Sequence, residues 1–582
     1  MKFKNIIKIS AFASLMLVGC DDMFEPGIED IKTFESLSAD PACIRGLLMN
    51  AYQKFNDDNI YFSKYVHEDL ATGDFYLNDN SENDQKRLLF FNMARGSWNT
   101  GSEEKDNPLK QWDNARLSIQ YINTFLQNVD NIVWTSEEES NAKFKQRLKG
   151  EAYALRGIHN FFFLRAHCGY VQGQLLGIPI VTEPEDLSSD FNQPRRDLKT
   201  CIEQIFEDLN QAISLLPEDY VGDDRVIGKN MNGLLNGRIV KAIKSQVALW
   251  AASPQYSAAS GVSWQEAANL AAEVLQGRTI VPNGNVWYCN TAEIDGLREG
   301  GVPPEVIWRG ERTESNENSL EKKNYPPSMD GSGRVNPTQN LVDCFPMANG
   351  FPITEAASGY DPENPYANRD PRLDLYIIRD GSEFRGEIIN TGKNNTKDKN
   401  GIDAEAKKST VTGYYLKKFL IPEVSVKNKY ENGRRHYKAR IRYTEIFLNY
   451  AEAINEVDGP QAAGPLGMSA YQIVKAIRER GGITNDMYLE AIKADKDKMR
   501  ELIHNERHIE LMGENHRFWD LRRWNEPIKE TPKKMVITET GAHHVEALGD
   551  PLQYENYMYF GPIPAKETLK WSNLKQNDGW DK

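Results

Sequence analysis

Glu506 and Glu510 are the residues whose type and spacing come closest to catalytic chemistry. They lie four positions apart and share a predicted helical stripe with the apolar residues Met499 and Ile503. Two carboxylates that face one open site could act as general acid and general base, as glycoside hydrolysis requires. A hydrolase that cleaves glycosidic bonds is therefore one hypothesis for this chain.

Neighbouring arginines favour a structural role for the same two carboxylates. Buried carboxylates are normally paired, and perturbed carboxylates mark structural networks as well as active sites. The arginines that could form bidentate ion pairs with Glu506 and Glu510 are Arg507, Arg517, Arg522 and Arg523. We therefore predict a structural ion-pair network here, assign no catalytic residue and expect a protein that is not an enzyme.

The histidines do not form a recognised metal-binding pattern. His504 and His508 are one helical turn apart, but the zinc-protease pattern needs Glu directly after the first His, where this chain has Asn505. His543 and His544 are adjacent, and adjacent side chains point apart on regular elements. The sequence also contains no GxxxxGK[ST] loop. We predict neither a metal site nor a cofactor.

Helical periodicity dominates the first half of the chain. Leu148, Ala152, Leu155, His159 and Phe162 recur in steps of three and four, which predicts a helix over 148–166. Further helices are predicted over 112–129, 201–216, 237–250 and 264–276. Helices that arrive in pairs with small residues at their crossings resemble tetratricopeptide-like hairpins, although the period is irregular.

The middle of the chain has a different composition. Residues from about 281 to 440 are rich in Gly, Pro, Asn and Asp, with few periodic stretches, whereas helical periodicity returns from 441. The sequence thus predicts a mostly α fold with a helical scaffold over about 40–280 and 441–524. A large loop-rich insertion over about 281–440 interrupts that scaffold.

The beginning of the chain has the features of a lipoprotein signal peptide. Lys2, Lys4 and Lys8 precede a short apolar run, which fits a secretory signal over 1–19 and is too short to span a bilayer. Leu17–Cys20 resembles a bacterial lipobox, so we predict that Cys20 carries a lipid that anchors the protein to a membrane.

The charge of the chain argues against nucleic acid as a partner. Lys and Arg number 70 against 84 Asp and Glu, so the formal net charge is −14. Nucleic-acid binding relies on basic patches or stripes, and the sequence contains none.

A stretch near the C-terminus is specific enough to identify a family. Asn505–Trp524 reads NERHIELMGENHRFWDLRRW and resembles the C-terminal signature of the SusD/RagB family of outer-membrane nutrient-binding lipoproteins. The family more often has Gly-His where this chain has Asn515-His516. Other family elements occur in order: GEAYALRG over 150–157, RDPRL over 369–373 and PIP over 562–564.

The resemblance covers nearly the whole mature chain and implies a single SusD-like domain over 20–582. It implies a lipid-anchored protein of the outer membrane that faces the cell exterior. Such a protein captures a glycan and delivers it to a TonB-dependent transporter of the SusC type. Capture of peptides or another non-sugar nutrient by the same kind of complex is the alternative.

A glycan binder needs exposed aromatic faces beside polar groups, because sugars present flat C–H faces edged with hydroxyls. The chain has 11 Trp, 25 Tyr and 23 Phe. We expect ligand contacts from aromatic and neighbouring polar residues in loops, since most aromatics on helical stripes belong to the core. These candidates are Asp74, Tyr76, Trp98, Asn99, Trp287, Tyr288 and Tyr325. Ordinary loop packing is the alternative for each of them.

Overall fold

The computed structural model describes residues 40–56, 65–79, 85–297, 301–312, 316–393, 398–427 and 430–581. The predicted signal peptide and Cys20 lie outside these residues. The fold is mostly α, as predicted. Its helices are α1 Pro41–Asn56, α2 Gln85–Asn92, α3 Trp112–Asn128, α4 Glu138–His167, α5 Leu198–Leu215, α6 Gly237–Ala252, α7 Ser257–Ser260, α8 Trp264–Leu275, α9 Thr291–Gly296, α10 Ser319–Asn324, α11 Gln339–Cys344, α12 Arg372–Tyr376, α13 Tyr443–Asp458, α14 Ala470–Arg480, α15 Met487–Ile492, α16 Lys496–Glu510, α17 Arg517–Arg523 and α18 Ala565–Lys570.

Short polar side chains start several of the long helices. The carboxylate of Asp197 accepts from the backbone N–H of Thr200 at 2.9 Å and so caps α5. Ser469 and Gln472 form a reciprocal capping box at the start of α14. Gly277 follows α8 with φ +71°, a left-handed conformation that glycine adopts without steric cost. Helix boundaries thus follow from local chemistry that the sequence contains.

The long helices pack against one another in chain order. α1 lies on α3, α3 on α4, α4 on α5, α5 on α6 and α6 on α8. α4 and α5 approach closely at Gly157, where an added Cβ would lie 2.9 Å from a methyl carbon of Leu209. Consecutive antiparallel neighbours of this kind form the tetratricopeptide-like array.

The loop-rich insertion leaves the array and returns to it. α13 packs on α8 although the whole insertion separates them in sequence, and it then contacts α14 and α16. At the base of the insertion, the strands Val306–Arg312 and Tyr437–Arg442 pair antiparallel, so its two ends are held together. The helical array is therefore continuous in space across the insertion.

The strands of the described residues form two-stranded antiparallel sheets, with pairs β1–β5, β2–β3, β4–β10, β6–β9, β7–β8 and β11–β12. Their bounds are β1 Phe75–Leu77, β2 Gly169–Val171, β3 Gln174–Leu176, β4 Val306–Arg312, β5 Val335–Pro337, β6 Ile377–Ile378, β7 Ser382–Phe384, β8 Glu387–Ile389, β9 Tyr415–Leu416, β10 Tyr437–Arg442, β11 Lys533–Ile537 and β12 His543–Ala547.

The hydrophobic core forms three clusters, which follow the division between the helical array and the insertion. One large cluster lies between the helices of the array, from Ile44 in α1 to Ile503 in α16. A second cluster joins β1, the insertion and the C-terminal segment, and a smaller third one lies within the insertion. No helix in the described ranges is both long and apolar enough to cross a bilayer.

Candidate functional site

The two carboxylates singled out by the sequence are fully buried at the end of α16. Arg372 of α12 lies between them: its Nη1 donates to Oε1 of Glu506 and, at 3.1 Å, to Oε2 of Glu510. Arg478 donates to Glu506 at 3.4 Å, and Arg480 donates to Glu510. Guanidinium groups therefore close both carboxylates off from solvent.

Arg442, at the end of β10, extends this network toward the turn after α16. Its Nε donates to Glu514 at 2.8 Å, and its Nη1 donates to Glu305 at 2.9 Å. The same Nη1 lies 3.5 Å from Glu510, and Lys418 donates to Glu514 at 2.8 Å. The network thus joins α16 to both ends of the insertion.

The charge of Glu510 is strongly stabilised in this setting. Burial alone would raise the pKa of the Glu510 carboxyl, but Arg480, Arg442 and Arg372 outweigh burial and lower that pKa to about 2. A general acid needs a proton near neutral pH, which a carboxyl with such a pKa does not hold. The arrangement suits an ion-pair network rather than acid–base catalysis.

The partners that the sequence suggested for these carboxylates were wrong. Arg507 instead lies 3.3 Å from Asp520, and Arg523 donates to Asp520 at 2.8 Å and to Glu452. Arg507 follows Glu506 directly and therefore points about 100° away around the helix. These two arginines form a second buried group that links α13, α16 and α17.

Arg517 and Arg522, the remaining predicted members, make no salt bridge within the described part of the chain. The guanidinium carbon of Arg522 lies 3.5 Å from the ring centroid of Phe518, a cation–π contact. Gly513, with φ +72°, reverses the chain between α16 and α17, so residues beyond it approach other surfaces. Sequence proximity alone did not identify their contacts.

His504 and His508 contact different side chains. The ring of His504 stacks on Trp524, with centroids 3.6 Å apart and an angle of 11° between planes. His508 contacts Asp74, with 2.7 Å between Nε2 and Oδ2. Burial and Arg517 oppose the imidazolium form, but attraction to Asp74 prevails and raises the pKa of His508 to about 10.

Most of the predicted aromatic contacts lie inside the protein. Trp98 is only 4% exposed and packs edge-on against Trp580, while its indole N–H donates to Asn107 at 3.1 Å. Trp287 and Tyr288 are buried and pack edge-on against each other. The expectation that these rings form exposed platforms is wrong, because segments distant in sequence cover them.

Tyr325 is also buried, within the third cluster, and its hydroxyl donates to the backbone of Ile421. Tyr76, on β1, is partly exposed, but the guanidinium carbon of Arg95 lies 4.7 Å from its ring centroid. Asn99 is exposed in a turn, where it accepts from the backbone of Gly101. Asp74 is engaged by His508. The structure therefore does not gather the seven predicted residues into one open site.

An open pocket with partly exposed tyrosines lies elsewhere, beside the C-terminal segment. We call it the tyrosine–amide pocket. Its volume is about 500 Å³, within the range of ligand sites. Its lining residues are Tyr170, Gln255, Asn525, Asn556, Tyr557, Tyr559, Phe560, Asn577 and Asp578.

The rings of this pocket are fixed by contacts on their far sides. Tyr557 packs edge-on against Trp580 with centroids 5.0 Å apart, and the hydroxyl of Tyr559 donates to the backbone of Glu526 at 2.7 Å. Tyr170, 39% exposed on β2, packs edge-on against Phe560 at 5.4 Å. Rings held in this way present fixed apolar faces at little cost in entropy.

The floor of the pocket is anchored by Asn577. Its amide donates to the backbone oxygens of His167, Cys168 and Gly561, and its side-chain oxygen accepts from Arg195 at 2.7 Å. Asn577 therefore holds the C-terminal segment against the end of α4.

The amides on the rim differ from Asn577, because they keep their hydrogen-bonding capacity. The side chains of Gln255, Asn525 and Asn556 have no hydrogen-bond partner within the described ranges. An amide offers both donors and acceptors, as a sugar hydroxyl or a peptide group requires. The pocket can thus bind a neutral polar ligand with apolar faces.

Sequence reasoning missed this pocket, although a signal was present. Asn556-Tyr557 places an aromatic beside an amide in a segment without helical periodicity, which is the criterion that was applied to Trp98 and Asn99. Tyr170 and Gln255 lie far away in sequence, and only the fold brings them to this segment.

Two family models match the chain. The one described as the SusD family matches residues 304–580, and the one described as starch-binding associating with outer membrane matches residues 29–226. Together they include most of the array, the insertion from β4 onward and the tyrosine–amide pocket's C-terminal part.

Several SusD-like proteins match the chain over nearly its whole length. SusD-like protein P38 of Formosa agariphila is 22% identical over 550 residues, which cover 91% of this chain and 93% of P38. A solved SusD-like protein from Bacteroides fragilis superposes with a TM-score of 0.69 at 21% identity, covering 94% of this chain and 98% of that one. A SusD-like carbohydrate binding protein from the same species gives 0.68 at 19% identity, covering 93% and 100%.

We expect Glu506→Ala to lower the free energy of unfolding by about 3–5 kcal/mol, because it leaves buried guanidinium groups without a carboxylate. Chemical denaturation measures this loss. Glu273→Ala, on the exposed face of α8, is the matched control and should unfold like the wild type. Unchanged stability together with lost ligand binding would contradict the structural role.

The His508–Asp74 pair predicts a dependence of stability on pH. Since the folded pKa of His508 lies above its ordinary value of 6.5, the stabilisation is complete below pH 6.5 and is lost as pH rises through about 10. The unfolding free energy of the wild type should therefore fall more steeply across this range than that of His508→Gln. His544→Gln, at an exposed position on β12, serves as control; parallel profiles for wild type and His508→Gln would refute the prediction.

Proposed function

We propose, because the chain belongs to the SusD/RagB family, that it is a surface lipoprotein that captures an oligo- or polysaccharide. It then delivers this glycan to a TonB-dependent outer-membrane transporter of the SusC type. The family is described in terms of starch binding and association with the outer membrane. A relative of the same fold is described as a carbohydrate binding protein, which agrees with this ligand class.

The observation that carries the proposal for this chain is the tyrosine–amide pocket. Tyr170, Tyr557 and Tyr559 offer apolar faces on which the C–H surface of a sugar ring can pack. Asn525 and Asn556 offer donors and acceptors, unused by the described residues, at the edge of those faces. Flat apolar surface edged with neutral hydrogen-bonding groups is complementary to a pyranose ring.

We propose capture without cleavage. Hydrolysis of a glycosidic bond needs two carboxyl groups on opposite sides of an open cleft. In the signature segment, Glu506 and Glu510 share Arg372 and are closed off from solvent. Among the described residues, Asp578 is the only carboxylate that lines the tyrosine–amide pocket, so these residues do not form the carboxylate pair there.

The proposal also includes attachment of the protein to the membrane and delivery of the glycan to a transporter. Lipid at Cys20 would hold the protein at the outer membrane, facing the cell exterior, and the transporter would take the glycan from it. An open pocket with modest affinity suits such a handover, since a captured ligand must also be released.

Binding of the soluble chain from Asp21 onward to a panel of polysaccharides tests the proposal, with released reducing ends measured in the same mixtures. Retention on one glycan class without released ends is the expected result. Released ends would make a glycoside hydrolase the better explanation, and retention of peptides alone would favour the non-sugar alternative.

Variants of the pocket locate the binding. Tyr557→Ala should weaken binding of the retained glycan about two- to tenfold, because a ring contact of this kind contributes roughly 0.5–1.5 kcal/mol. Asn556→Ala should also weaken binding, by about 0.5–1.5 kcal/mol for the loss of one hydrogen bond. Tyr430→Ala removes a ring that is 78% exposed outside the pocket and is the matched control. Equal affinities for Tyr557→Ala and Tyr430→Ala would exclude this pocket as the site.

A further inference from the structure

We propose that a second pocket binds a further stretch of the same glycan chain, so that the protein holds a polymer at two places; this inference rests on the proposed function. We call it the Phe191–Trp571 pocket. Its volume is about 320 Å³, and it is lined by Phe191, Trp571, Arg116, Gln193, Leu117 and Pro179 among others. Its residues come from the start of α3, the loop before α5 and the end of α18.

Two aromatic rings form an exposed face in this pocket. Phe191 and Trp571 lie with ring centroids 6.1 Å apart and an angle of only 24° between their planes. Phe191 is 37% exposed although it is large and apolar, and Trp571 is partly exposed beside it. The two rings therefore stack on each other, and Nζ of Lys570 lies 4.5 Å from the ring centroid of Trp571, so the exposed part of the stacked pair is the apolar surface open to a ligand.

Polar groups with unused hydrogen-bonding capacity lie beside these rings. The guanidinium of Arg116 binds Glu185 through Nη2 alone, at 3.0 and 2.8 Å, so its Nε and Nη1 have no partner among the described residues. Gln193 donates to the backbone of Asp190, which leaves its side-chain oxygen to accept. The pocket thus combines an apolar face with both donors and an acceptor, the same chemistry as the tyrosine–amide pocket.

The charges around the pocket favour a neutral ligand. Arg116 pairs with Glu185 and Lys566 pairs with Asp113, which Lys110 also approaches to 3.9 Å. Lys570 lies over an aromatic ring instead, with its Nζ 4.5 Å from the ring centroid of Trp571. An uncompensated basic cluster, as binding of sulfated or acidic sugars requires, is not formed by these residues. We therefore infer a neutral glycan.

The C-terminal segment 570–578 connects the two pockets, since Trp571 lines one and Asp578 lines the other. Seven residues of chain span at most about 25 Å, so one polysaccharide chain can reach both. Arg195 donates to the backbone of Lys575 at 3.1 Å and to Asn577 at 2.7 Å, which fixes this segment. Simultaneous contact at two fixed pockets raises the affinity for long chains through effective concentration.

The test is the affinity of the soluble chain for oligosaccharides of increasing length, prepared from the polysaccharide that the wild type retains. For Trp571→Ala we expect a loss of at least about tenfold with long chains, and a much smaller loss with the shortest ones that bind. Phe191→Ala removes the other ring and should give the same pattern if Trp571→Ala proves poorly folded.

Leu569→Ala is the matched control. Leu569 lies on the same helix, is 86% exposed and does not line the pocket, so its variant should bind chains of every length like the wild type. Thermal unfolding of each variant separates a loss of binding from a loss of folded protein. Sedimentation velocity reports whether the same rings hold a second copy of the chain.

The outcomes distinguish this inference from the proposed function. Wild-type affinity of Trp571→Ala and Phe191→Ala for long chains, with weakened binding by Tyr557→Ala, would overturn the second pocket alone. A shift from dimer to monomer in these variants without a change in affinity would assign the rings to a protein contact and also overturn it. Failure of the wild type to bind any glycan would overturn the proposed function and the second pocket together.

Discussion

Charges removed from water must be paired, and this requirement organises the structure around the end of α16. Glu506 and Glu510 receive guanidinium groups from α12, α14 and β10, segments that are distant in sequence. Loss of one partner would leave the others buried and uncompensated, at a cost of several kcal/mol. The loop-rich insertion, which has little regular structure of its own, is thereby held in register with the helical array.

The second buried group connects the end of α16 to the tyrosine–amide pocket at the surface. Arg523 pairs with Glu452 and Asp520, and its backbone oxygen accepts from the N–H of Gln255 at 3.1 Å. Gln255 in turn stands on the rim of the tyrosine–amide pocket, next to Asn525 at the end of α17. The signature segment 505–524 thus positions the rim of the tyrosine–amide pocket without lining it, so acidic residues that resemble a catalytic pair can serve the proposed binding role.

The sequence contained most of the fold but little of the site. The predicted helix over 148–166 lies within α4, because its periodicity and its packing partners are local to the array. The placement of Glu506 and Glu510 on a buried stripe was also correct, whereas their arginine partners come from segments that no local pattern links to them. The predicted exposure of the loop aromatics was wrong for the same reason. Trp98 lies in a loop, yet Phe518, Tyr554 and Trp580 enclose it. Burial of a loop ring depends on contacts between segments that lie hundreds of positions apart in sequence. The tyrosine–amide pocket depends on such contacts too, because β2, the end of α6 and the C-terminal segment form it.

Hydrogen–deuterium exchange of the soluble chain, with and without the glycan that it retains, tests most directly where the ligand binds. We expect slower exchange at residues 554–560, 169–171 and 570–578 when the glycan is bound, because these segments form the two pockets. Protection confined to residues 68–79, 93–99 and 285–290, with unchanged exchange along the C-terminal segment, would contradict it and would return the binding site to the loops that the sequence first suggested.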